Sequence, residues 1–239
     1  MTDSAPPPAT QSQGTIHLRP TAPLAERVLL PGDPARALAL AQALLVAPRM
    51  FNHHRGLWGY TGTAADGEPI TIQATGMGGP SAAIVLHELI ALGARRAIRV
   101  GTCGALKPGM GLGELVVATH AICADGTSRA LGAGERVQAD PQLAEALAHH
   151  APTAHRGSIV SVDLFYESGN PGDGRDALAV EMEAATLFAV GAAAAVPVAC
   201  VLAVSDTFAP DGQRMRIGEE ELLEAAERMG TAAIAALSS

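Results

Sequence analysis

The chain has 239 residues, of which 48% are hydrophobic and 3% aromatic, and its formal net charge is −8 at pH 7. This acidic balance argues against general nucleic-acid binding, so an anionic ligand would need a local cluster of arginines. No apolar run is long enough and free enough of charge to predict a membrane span, and the length is sufficient for a large buried core.

The chain begins with residues 1–14, which are rich in Pro, Thr, Ser and Gln. They lack the charged start and apolar centre of a secretion signal, and their composition predicts a disordered tail. A single folded domain is predicted over residues 15–239. At its start, Ile16–Arg19 alternates apolar and polar side chains, which predicts an edge strand.

The first strand-to-helix unit carries an anion-binding pattern. A buried strand at Arg27–Leu30 leads through a turn at Gly32 to Asp33–Pro34, which is typical of the N-cap and first position of a helix; we expect this helix to end at Leu45. Free N–H groups at such a turn can bind an anion. Arg36 opposes the helix dipole, so either a bound anion explains it or its side chain is solvated in an ordinary connection.

Neither the histidine pair nor the cysteines indicate a metal site. The neighbours His53 and His54 would face opposite sides of a strand and would not chelate one ion. Cys103, Cys123 and Cys200 form no Cys-x-x-Cys pair, so we expect neither zinc nor a disulfide framework. The cysteine usage favours a reducing, cytoplasmic location, with Cys103 as a packing residue.

A second unit joins a strand at Pro69–Thr75 to the loop Gly76–Ser81 and a helix that ends at Gly93. Ser81 is a candidate cap for that helix. The glycine spacing matches neither the dinucleotide-binding fingerprint nor a P-loop. Met77 could line a pocket for a flat ring or fill a gap in the core.

The next stretch, Ala97–Ala105, starts as a buried strand and then predicts a glycine turn at Gly101 and Gly104. Arg99 interrupts the apolar run, and a guanidinium is rarely buried without a partner. With the Thr102 hydroxyl beside it, Arg99 could bind an oxyanion. A structural ion pair with a carboxylate is the alternative.

The second half of the chain continues the alternation of strands and helices. Strands are predicted at Glu114–Ala118, Gly157–Val162 and Val198–Val204, and helices at Ala139–His150, Ala179–Ala195 and Glu219–Leu237. Between them, the polar, glycine-rich segment Glu167–Asp176 predicts a mobile loop. Because the glycine loops follow strands, we predict one α/β domain with a central mixed, largely parallel β-sheet flanked by helices.

Two further groups of polar residues are candidates for ligand contacts. Glu181 and Glu183 flank Met182 at a predicted helix start, where a glutamate could accept hydrogen bonds from sugar hydroxyls or could cap the helix. Asp206 follows Ser205 at the end of the most apolar strand, where α/β sheets place their ligands. Its carboxyl group could donate a proton, or it could cap the next loop.

Six short motifs together resemble the trimeric and hexameric nucleoside phosphorylases, the relatives of bacterial purine nucleoside phosphorylase and uridine phosphorylase. The motifs are Pro31–Pro34, Arg55–Gly56 with Gly59–Gly62, Gly76–Ser81, Arg99–Ala105, Val180–Ala184 and Val204–Asp206. The resemblance extends from His17 to the C-terminus. It implies reversible phosphorolysis of nucleosides to a free base and a pentose 1-phosphate, with inorganic phosphate as co-substrate and no metal or organic cofactor.

The resemblance also implies a role for each candidate residue. Phosphate would bind at Gly32, Arg36, Arg99 and Thr102, with Arg55 supplied by a neighbouring subunit. The nucleoside would be contacted by Met77, Cys103, Gly104, Phe165, Glu181, Met182, Glu183, Ser205 and a neighbour's His17. Among these, Glu183 would hold the ribose hydroxyls, His17 would meet the 5′ end and Phe165 would stack near the base. Asp206 would protonate a purine ring nitrogen, assisted by Arg214 or Arg216 from the loop beyond.

These implications favour a purine nucleoside phosphorylase. Asp206 suggests that it accepts 6-aminopurines as well as 6-oxopurines, because an asparagine at this position would have favoured the 6-oxo group. Uridine phosphorylase is the alternative, since Thr102, Gly78–Ser81 and Asp125–Ser128 are similar to the uridine enzymes. A nucleoside hydrolase would not need three arginines, and a non-catalytic nucleoside-binding protein would not need Asp206. The resemblance further implies a homo-oligomer with shared active sites, a hexamer built as a trimer of dimers, and no nucleic-acid or membrane partner.

Overall fold

The computed structural model describes residues 14–166, 175–208 and 213–239. Residues 1–13 of the predicted tail lie outside these ranges, as do residues 167–174 of the loop predicted to be mobile. Within the described ranges, each helix is too short or too polar to cross a membrane.

Eleven strands and six helices are present in the described part of the chain. The strands are β1 (Arg27–Leu30), β2 (Val46–Asn52), β3 (Gly59–Thr63), β4 (Pro69–Gln73), β5 (Arg96–Ala105), β6 (Leu115–Cys123), β7 (Arg136–Gln138), β8 (His155–Ser161), β9 (Ala179–Glu181), β10 (Val198–Phe208) and β11 (Arg214–Arg216). The helices are α1 (Pro34–Leu44), α2 (Gly79–Leu92), α3 (Gly126–Ala130), α4 (Pro141–His150), α5 (Ala184–Ala194) and α6 (Glu219–Ser238).

All strands belong to one mixed sheet, with β7 paired to β6 at one side. The order is β2-β3-β4-β1-β5-β9-β8-β6-β10-β11, and a further pairing of β10 with β5 closes five of these strands into a ring. β5 is parallel to both β1 and β10. The predicted mixed α/β sheet is therefore confirmed, but it is not largely parallel: among the described residues five strand pairings are parallel and six are antiparallel. The carboxyl ends of β1, β5 and β10 meet at one edge, where ligands are expected.

Helices cover both faces of the sheet. One hydrophobic cluster contains α2 and α5, and the other contains α1, α4 and α6. Small residues allow close packing: a Cβ built on Gly230 of α6 would lie 2.4 Å from Leu44 Cδ1 and 3.0 Å from Leu40 Cδ2 of α1. This contact has the close helix packing that a core rich in alanine and glycine, and poor in aromatic residues, requires.

Two segments predicted as turn or loop are strands. The predicted glycine turn is wrong because β5 continues through it, where Gly101 pairs with Leu202 and Gly104 pairs with Val180. Arg214 and Arg216 were expected in a loop, but they form β11, which pairs antiparallel with the end of β10. In both places the sheet satisfies backbone N–H and C=O groups that a loop would leave to solvent.

Three other local predictions are wrong. Ile16–Arg19 is not a strand, because the N–H groups of Ile16, His17 and Leu18 donate to the Glu88 carboxylate instead of a sheet partner. His54 lies in a 3₁₀ turn rather than a strand. Ser81 does not cap α2, whose N-cap is Gly78, and its hydroxyl donates to the Thr75 carbonyl instead.

The helix predicted from Ala179 begins later. Residues Ala179–Glu181 form strand β9 because they pair with both β5 and β8. Helix α5 then starts at Ala184, with Glu183 at its N-cap position but without a capping hydrogen bond from that side chain. Glu181 and Glu183 are therefore placed by the end of a strand rather than by a helical turn.

A polar cluster fastens the C-terminal helix to the turn between β3 and β4. The buried Arg27 donates from Nη1 to Asp66 Oδ2 at 2.6 Å and to Ser238 Oγ at 2.8 Å. The Asp66 carboxylate also accepts the Ser238 hydroxyl and the N–H of Glu68. These bonds and the stronger one from Arg27 outweigh burial and hold the pKa of the Asp66 carboxyl well below its usual range. Asp66 therefore stabilises the folded state when it is ionised.

We expect Asp66→Asn to lower the free energy of unfolding by about 1–2 kcal/mol at pH 7, because Arg27 loses an ionised partner. The lowered folded-state pKa gives a stabilisation that is complete above the unfolded pKa, near 4, and is lost as pH falls below it. Urea unfolding at pH 7 and pH 3 measures this. Asp176→Asn, which removes an exposed partner of Lys107, is the control and should change little. If Asp66→Asn lowered the free energy of unfolding equally at pH 7 and pH 3, ionised Asp66 would not be the stabilising form.

Candidate active site

Arg99 is the central charged residue at the carboxyl edge of the sheet, and it is 3% exposed. Its Nε donates to Glu181 Oε2 at 3.0 Å, and its Nη2 forms an ion pair with Glu183 Oε2. Burial acts to lower the pKa of Arg99, but Glu183 and Glu181 outweigh it and raise the pKa. The structural ion pair is therefore present, and Arg99 remains charged.

The same guanidinium keeps one nitrogen for another partner. Nη1 of Arg99 is buried and has no hydrogen-bond partner among the described residues. It faces Gly32, where an added Cβ would lie 3.9 Å from Nη1 and 3.3 Å from the Gly76 carbonyl oxygen. A buried, charged donor without a partner is costly. The anion interpretation and the ion-pair interpretation of Arg99 are thus compatible.

Gly101 makes this arrangement possible. A Cβ at position 101 would lie 2.7 Å from Arg99 Cζ and 2.8 Å from its Nη2, which is closer than real Cβ contacts occur. The Arg99 guanidinium lies over the backbone of Gly101, two residues later in the same strand. The glycine predicted to form a turn instead provides the space in which Arg99 lies.

Arg36 lies in the first turn of α1, where Asp33 accepts the N–H of Ala35 as the predicted N-cap. Burial lowers the pKa of Arg36; Asp33 acts to raise it, and the charge of Arg99 lowers it further. Arg36 and Arg99 are therefore close enough to repel each other beside the glycine turn, and an anion bound near both would offset this repulsion. The structure therefore brings Gly32, Arg36 and Arg99 to one place.

Glu181 supports this cluster from inside the protein. Its carboxylate accepts the N–H groups of Glu183 and Ala184, at 2.8 Å and 2.9 Å, and the hydroxyl of Ser161. Together with Arg99, these contacts join β5, β8 and the start of α5. The side chain is 1% exposed, so its contacts lie within the fold, where it positions Arg99.

Glu183 lies slightly nearer the surface of the same cluster, since its side chain is 7% exposed against 1% for Glu181. One carboxylate oxygen pairs with Arg99, and the other accepts the N–H of Gly78. Gly78 belongs to the glycine loop, and its neighbour Met77 is 87% exposed. Glu183 therefore links the glycine loop to Arg99, and Met182, half-buried beside it, lies next to the same cluster.

Asp206 is the second buried carboxylate at this edge, and it lies opposite Gly104 in β5. The Ser205 hydroxyl lies 2.7 Å from Asp206 Oδ2 and 3.2 Å from the carbonyl oxygen of Cys103. A hydroxyl has one proton and two lone pairs. When Ser205 donates to Asp206 it stabilises the ionised carboxylate, and when it donates to Cys103 it can accept from a protonated Asp206. The pair therefore suits both protonation states.

Arg214 is the arginine in direct contact with Asp206. Its Nε donates to Asp206 Oδ1 at 2.9 Å, whereas Arg216 Nε is 4.0 Å from the same oxygen and its side chain is 71% exposed. The guanidinium of Arg214 also lies over the Phe165 ring, 4.7 Å from its centroid, within range of a cation–π contact. Arg214 thus connects the candidate base-stacking residue with the candidate proton donor.

Two more predicted residues border these clusters. Thr102 is half-buried and pairs with Ala203 in β10. Cys103 is buried, and burial raises the pKa of its thiol, so the thiol stays protonated and packs against the Ala203 carbonyl. This environment is that of a packing residue rather than a nucleophile.

His17 and Arg55 lie elsewhere, and close to each other. The ring of His54 lies 3.1 Å from the His17 carbonyl oxygen, and Arg55 follows in the same 3₁₀ turn. Arg55 is exposed and has a left-handed backbone, φ 59° and ψ 21°, which is strained for a residue with a side chain. The two residues that the resemblance assigns to a neighbouring subunit therefore share one surface.

Sequence reasoning missed two residues that organise these clusters. Glu88 binds the segment around His17, and Ser161 connects Glu181 to the backbone of Ala185. For Glu88 a signal was present, because it is an acidic residue in an otherwise largely apolar helix. For Ser161 there was none, because a serine at a strand end is common.

Comparisons with known proteins show which family this chain resembles over most of its length. A family model described as "Phosphorylase superfamily" matches residues 26–239. A "Purine nucleoside phosphorylase DeoD-type" of Streptococcus suis (strain 05ZYH33) is 36% identical over 223 residues, 87% of this chain and 89% of that protein. A protein of the same description from Geobacillus kaustophilus (strain HTA426) is 35% identical, and the match covers 78% of this chain and 83% of that protein. Another, from Clostridium novyi (strain NT), is 36% identical, and the match covers 77% of this chain and 83% of that protein. The chain belongs to the phosphorylase superfamily.

Proposed function

We propose that this protein is a purine nucleoside phosphorylase that converts a purine nucleoside and phosphate to the free base and a pentose 1-phosphate. The observation that carries the proposal is the buried Arg99 with an unpartnered Nη1, at the same sheet edge as the Asp206–Arg214 pair. An anion site and a proton donor at one edge are what phosphorolysis of a nucleoside needs. The names of the similar proteins support the same reaction.

In the proposed reaction, phosphate binds between Gly32, Arg36 and Arg99, with Thr102 beside it. Glu183 holds the ribose hydroxyls and remains anchored by Arg99 and Gly78. A phosphate oxygen attacks the anomeric carbon as the bond to the base breaks and positive charge develops on the sugar. The phosphate is both nucleophile and electrostatic stabiliser, so the reaction requires no metal or organic cofactor.

The departing base takes the electron pair of the broken bond and needs a proton. Asp206 supplies that proton to a purine ring nitrogen, and Arg214 then stabilises the carboxylate that remains. Ser205 changes its hydrogen-bond partner between Asp206 and Cys103 as this happens. The buried, free cysteines fit activity in a reducing, cytoplasmic compartment.

Release of base from inosine, adenosine, guanosine and uridine, with and without phosphate, tests the proposal. We expect phosphate-dependent release from the purine nucleosides, with adenosine accepted beside the 6-oxopurines. Uridine belongs in the panel because Thr102 is similar to the uridine enzymes. Cleavage of uridine alone would contradict the purine assignment, and retained nucleoside binding without turnover would indicate a binding protein.

We also propose a homo-oligomer, a hexamer of three dimers, in which His17 and Arg55 complete the partner's site. The exposed position of Arg55 and its strained backbone support this arrangement. Arg55→Ala and Asp206→Ala chains should each be nearly inactive alone. In co-refolded mixed dimers, one of the two sites has both residues intact, so an equal mixture should recover about a quarter of the wild-type activity.

The control for this mixing experiment is Arg99→Lys with Asp206→Ala. In the proposal, Arg99 and Asp206 of one site come from the same chain. Each site of a mixed dimer therefore lacks either Arg99 or Asp206, and no site is intact. This mixture should show no recovery beyond the average of the two variants. Recovery in the control, or none with Arg55→Ala, would contradict shared sites.

A further inference from the structure

Glu88 on α2 binds the chain segment that carries His17. Its Oε1 accepts the N–H of Ile16 at 3.1 Å and the N–H of His17 at 3.0 Å, and its Oε2 accepts the N–H of Leu18 at 2.7 Å. Three successive backbone donors therefore converge on one carboxylate, 70 to 72 residues distant in sequence. The contact fixes both the position and the direction of this segment.

The same carboxylate also binds the His17 ring. Oε1 of Glu88 lies 2.8 Å from Nδ1 of His17. Burial acts to raise the pKa of Glu88, but the hydrogen bonds from Leu18, His17 and Ile16 outweigh it and lower the pKa. An ionised carboxylate can only accept, so the ring donates to Glu88 from Nδ1. With the proton on Nδ1, Nε2 is the acceptor of the neutral form of the ring.

We propose that Glu88 is a positioning residue for substrate selection: it orients His17 so that Nε2 accepts a hydrogen bond from the 5′-hydroxyl of a nucleoside bound in the partner's site. This inference rests on the proposed function and on the shared sites proposed above. Nε2 as an acceptor can receive the proton of a 5′-hydroxyl. The oxygens of a 5′-phosphate are acceptors themselves, so they would face Nε2 without a hydrogen bond. Glu88 thereby makes the site select nucleosides over nucleoside 5′-phosphates.

Glu88→Gln separates this role from simple anchoring of the segment. Glutamine keeps the volume and one carbonyl acceptor for the backbone donors, but its NH₂ group can donate to Nδ1 and move the ring proton to Nε2. We expect KM for inosine to rise about tenfold with kcat within about twofold, as for loss of one hydrogen bond. For 5′-deoxyinosine, which lacks the hydroxyl, kcat/KM should change less than about twofold.

The controls use the same two substrates. His17→Ala should reproduce the selective loss for inosine, and the double variant should lose no more than His17→Ala alone, because both changes remove one contact. Glu88→Asp keeps an ionised acceptor and should restore most of the preference for inosine. If Glu88→Gln does not fold, the comparison of Glu88→Asp with His17→Ala decides the question.

Equal losses for inosine and 5′-deoxyinosine in Glu88→Gln would overturn the inference, since they would indicate general damage to the fold. Additive losses in the double variant would overturn it too. A wild-type protein that cleaves neither substrate would instead contradict the proposed function. A wild-type protein that cleaves both equally would leave the function intact and refute selection through His17 and Glu88.

Discussion

Replacement of Asp206 by asparagine is expected to lower kcat for inosine phosphorolysis by about 10²-fold or more, the usual contribution of a general acid. Asparagine keeps the volume, and its carbonyl oxygen can accept from Arg214 or Ser205, but it cannot supply the proton to the base. KM for phosphate should change little, because the proposed phosphate site lies around Arg99. Initial rates at saturating phosphate measure this effect.

A substrate that needs no proton provides the sharpest control. In 7-methylinosine the methyl group on N7 gives the base a fixed positive charge, so the base can leave without protonation. Asp206→Asn should therefore cleave 7-methylinosine at a rate within about threefold of the wild type. Equal losses on inosine and 7-methylinosine would show that Asp206 acts in binding or folding and not as the proton donor.

The neighbouring arginines form a matched pair for the same role. Arg214→Ala should lower kcat for inosine more than Arg216→Ala does, because only Arg214 lies within hydrogen-bond distance of Asp206. Arg214→Ala should also weaken base binding, since it removes the guanidinium over Phe165. The reverse order of effects would assign the assisting role to Arg216.

Arg99→Lys should lower kcat/KM for phosphate by about 10²–10³-fold, because lysine keeps the charge but lacks the planar group that serves Glu181, Glu183 and an anion together. The lysine variant is more informative than an apolar variant because it keeps a positive charge beside Glu181 and Glu183. An apolar residue would leave two buried carboxylates without a cation and would lower stability by about 3–5 kcal/mol.

Arg96→Lys is the control for this change. Arg96 lies on the same strand, and its guanidinium donates a hydrogen bond to the Ser239 carbonyl oxygen at 3.3 Å, an exposed contact away from Glu181 and Glu183. We expect wild-type kinetics for Arg96→Lys. A thermal melt separates loss of fold from loss of phosphate affinity, and an unchanged KM for phosphate in a folded Arg99→Lys would contradict the anion site.

Local signals predicted the parts of the fold that local chemistry determines. Asp33 and Pro34 begin α1 as expected, and Gly93 ends α2 with a left-handed backbone, φ 115°. The alternating pattern at Pro69–Gln73 is strand β4. In each case the residues whose pattern gave the prediction are close neighbours in the sequence.

The predictions that failed depended on distant partners. Whether Ile16–Arg19 becomes a strand depends on Glu88, about 70 residues away, which takes up its N–H groups. The glycines after Arg99 look like a turn until β10 and β9 supply their pairing partners. For Arg99 itself, the sequence allowed an ion pair or an anion site. Only the three-dimensional arrangement shows that Nε and Nη2 pair with carboxylates while the buried Nη1 has no partner among the described residues.

The fate of phosphate during base release tests the central claim most directly. With inosine and phosphate as substrates, ³¹P NMR should show inorganic phosphate disappearing mole for mole with hypoxanthine release, while one sugar 1-phosphate resonance grows. Base release with an unchanged phosphate signal would identify a hydrolase and would contradict the role of Arg99, Arg36 and Gly32 as the site of the attacking anion.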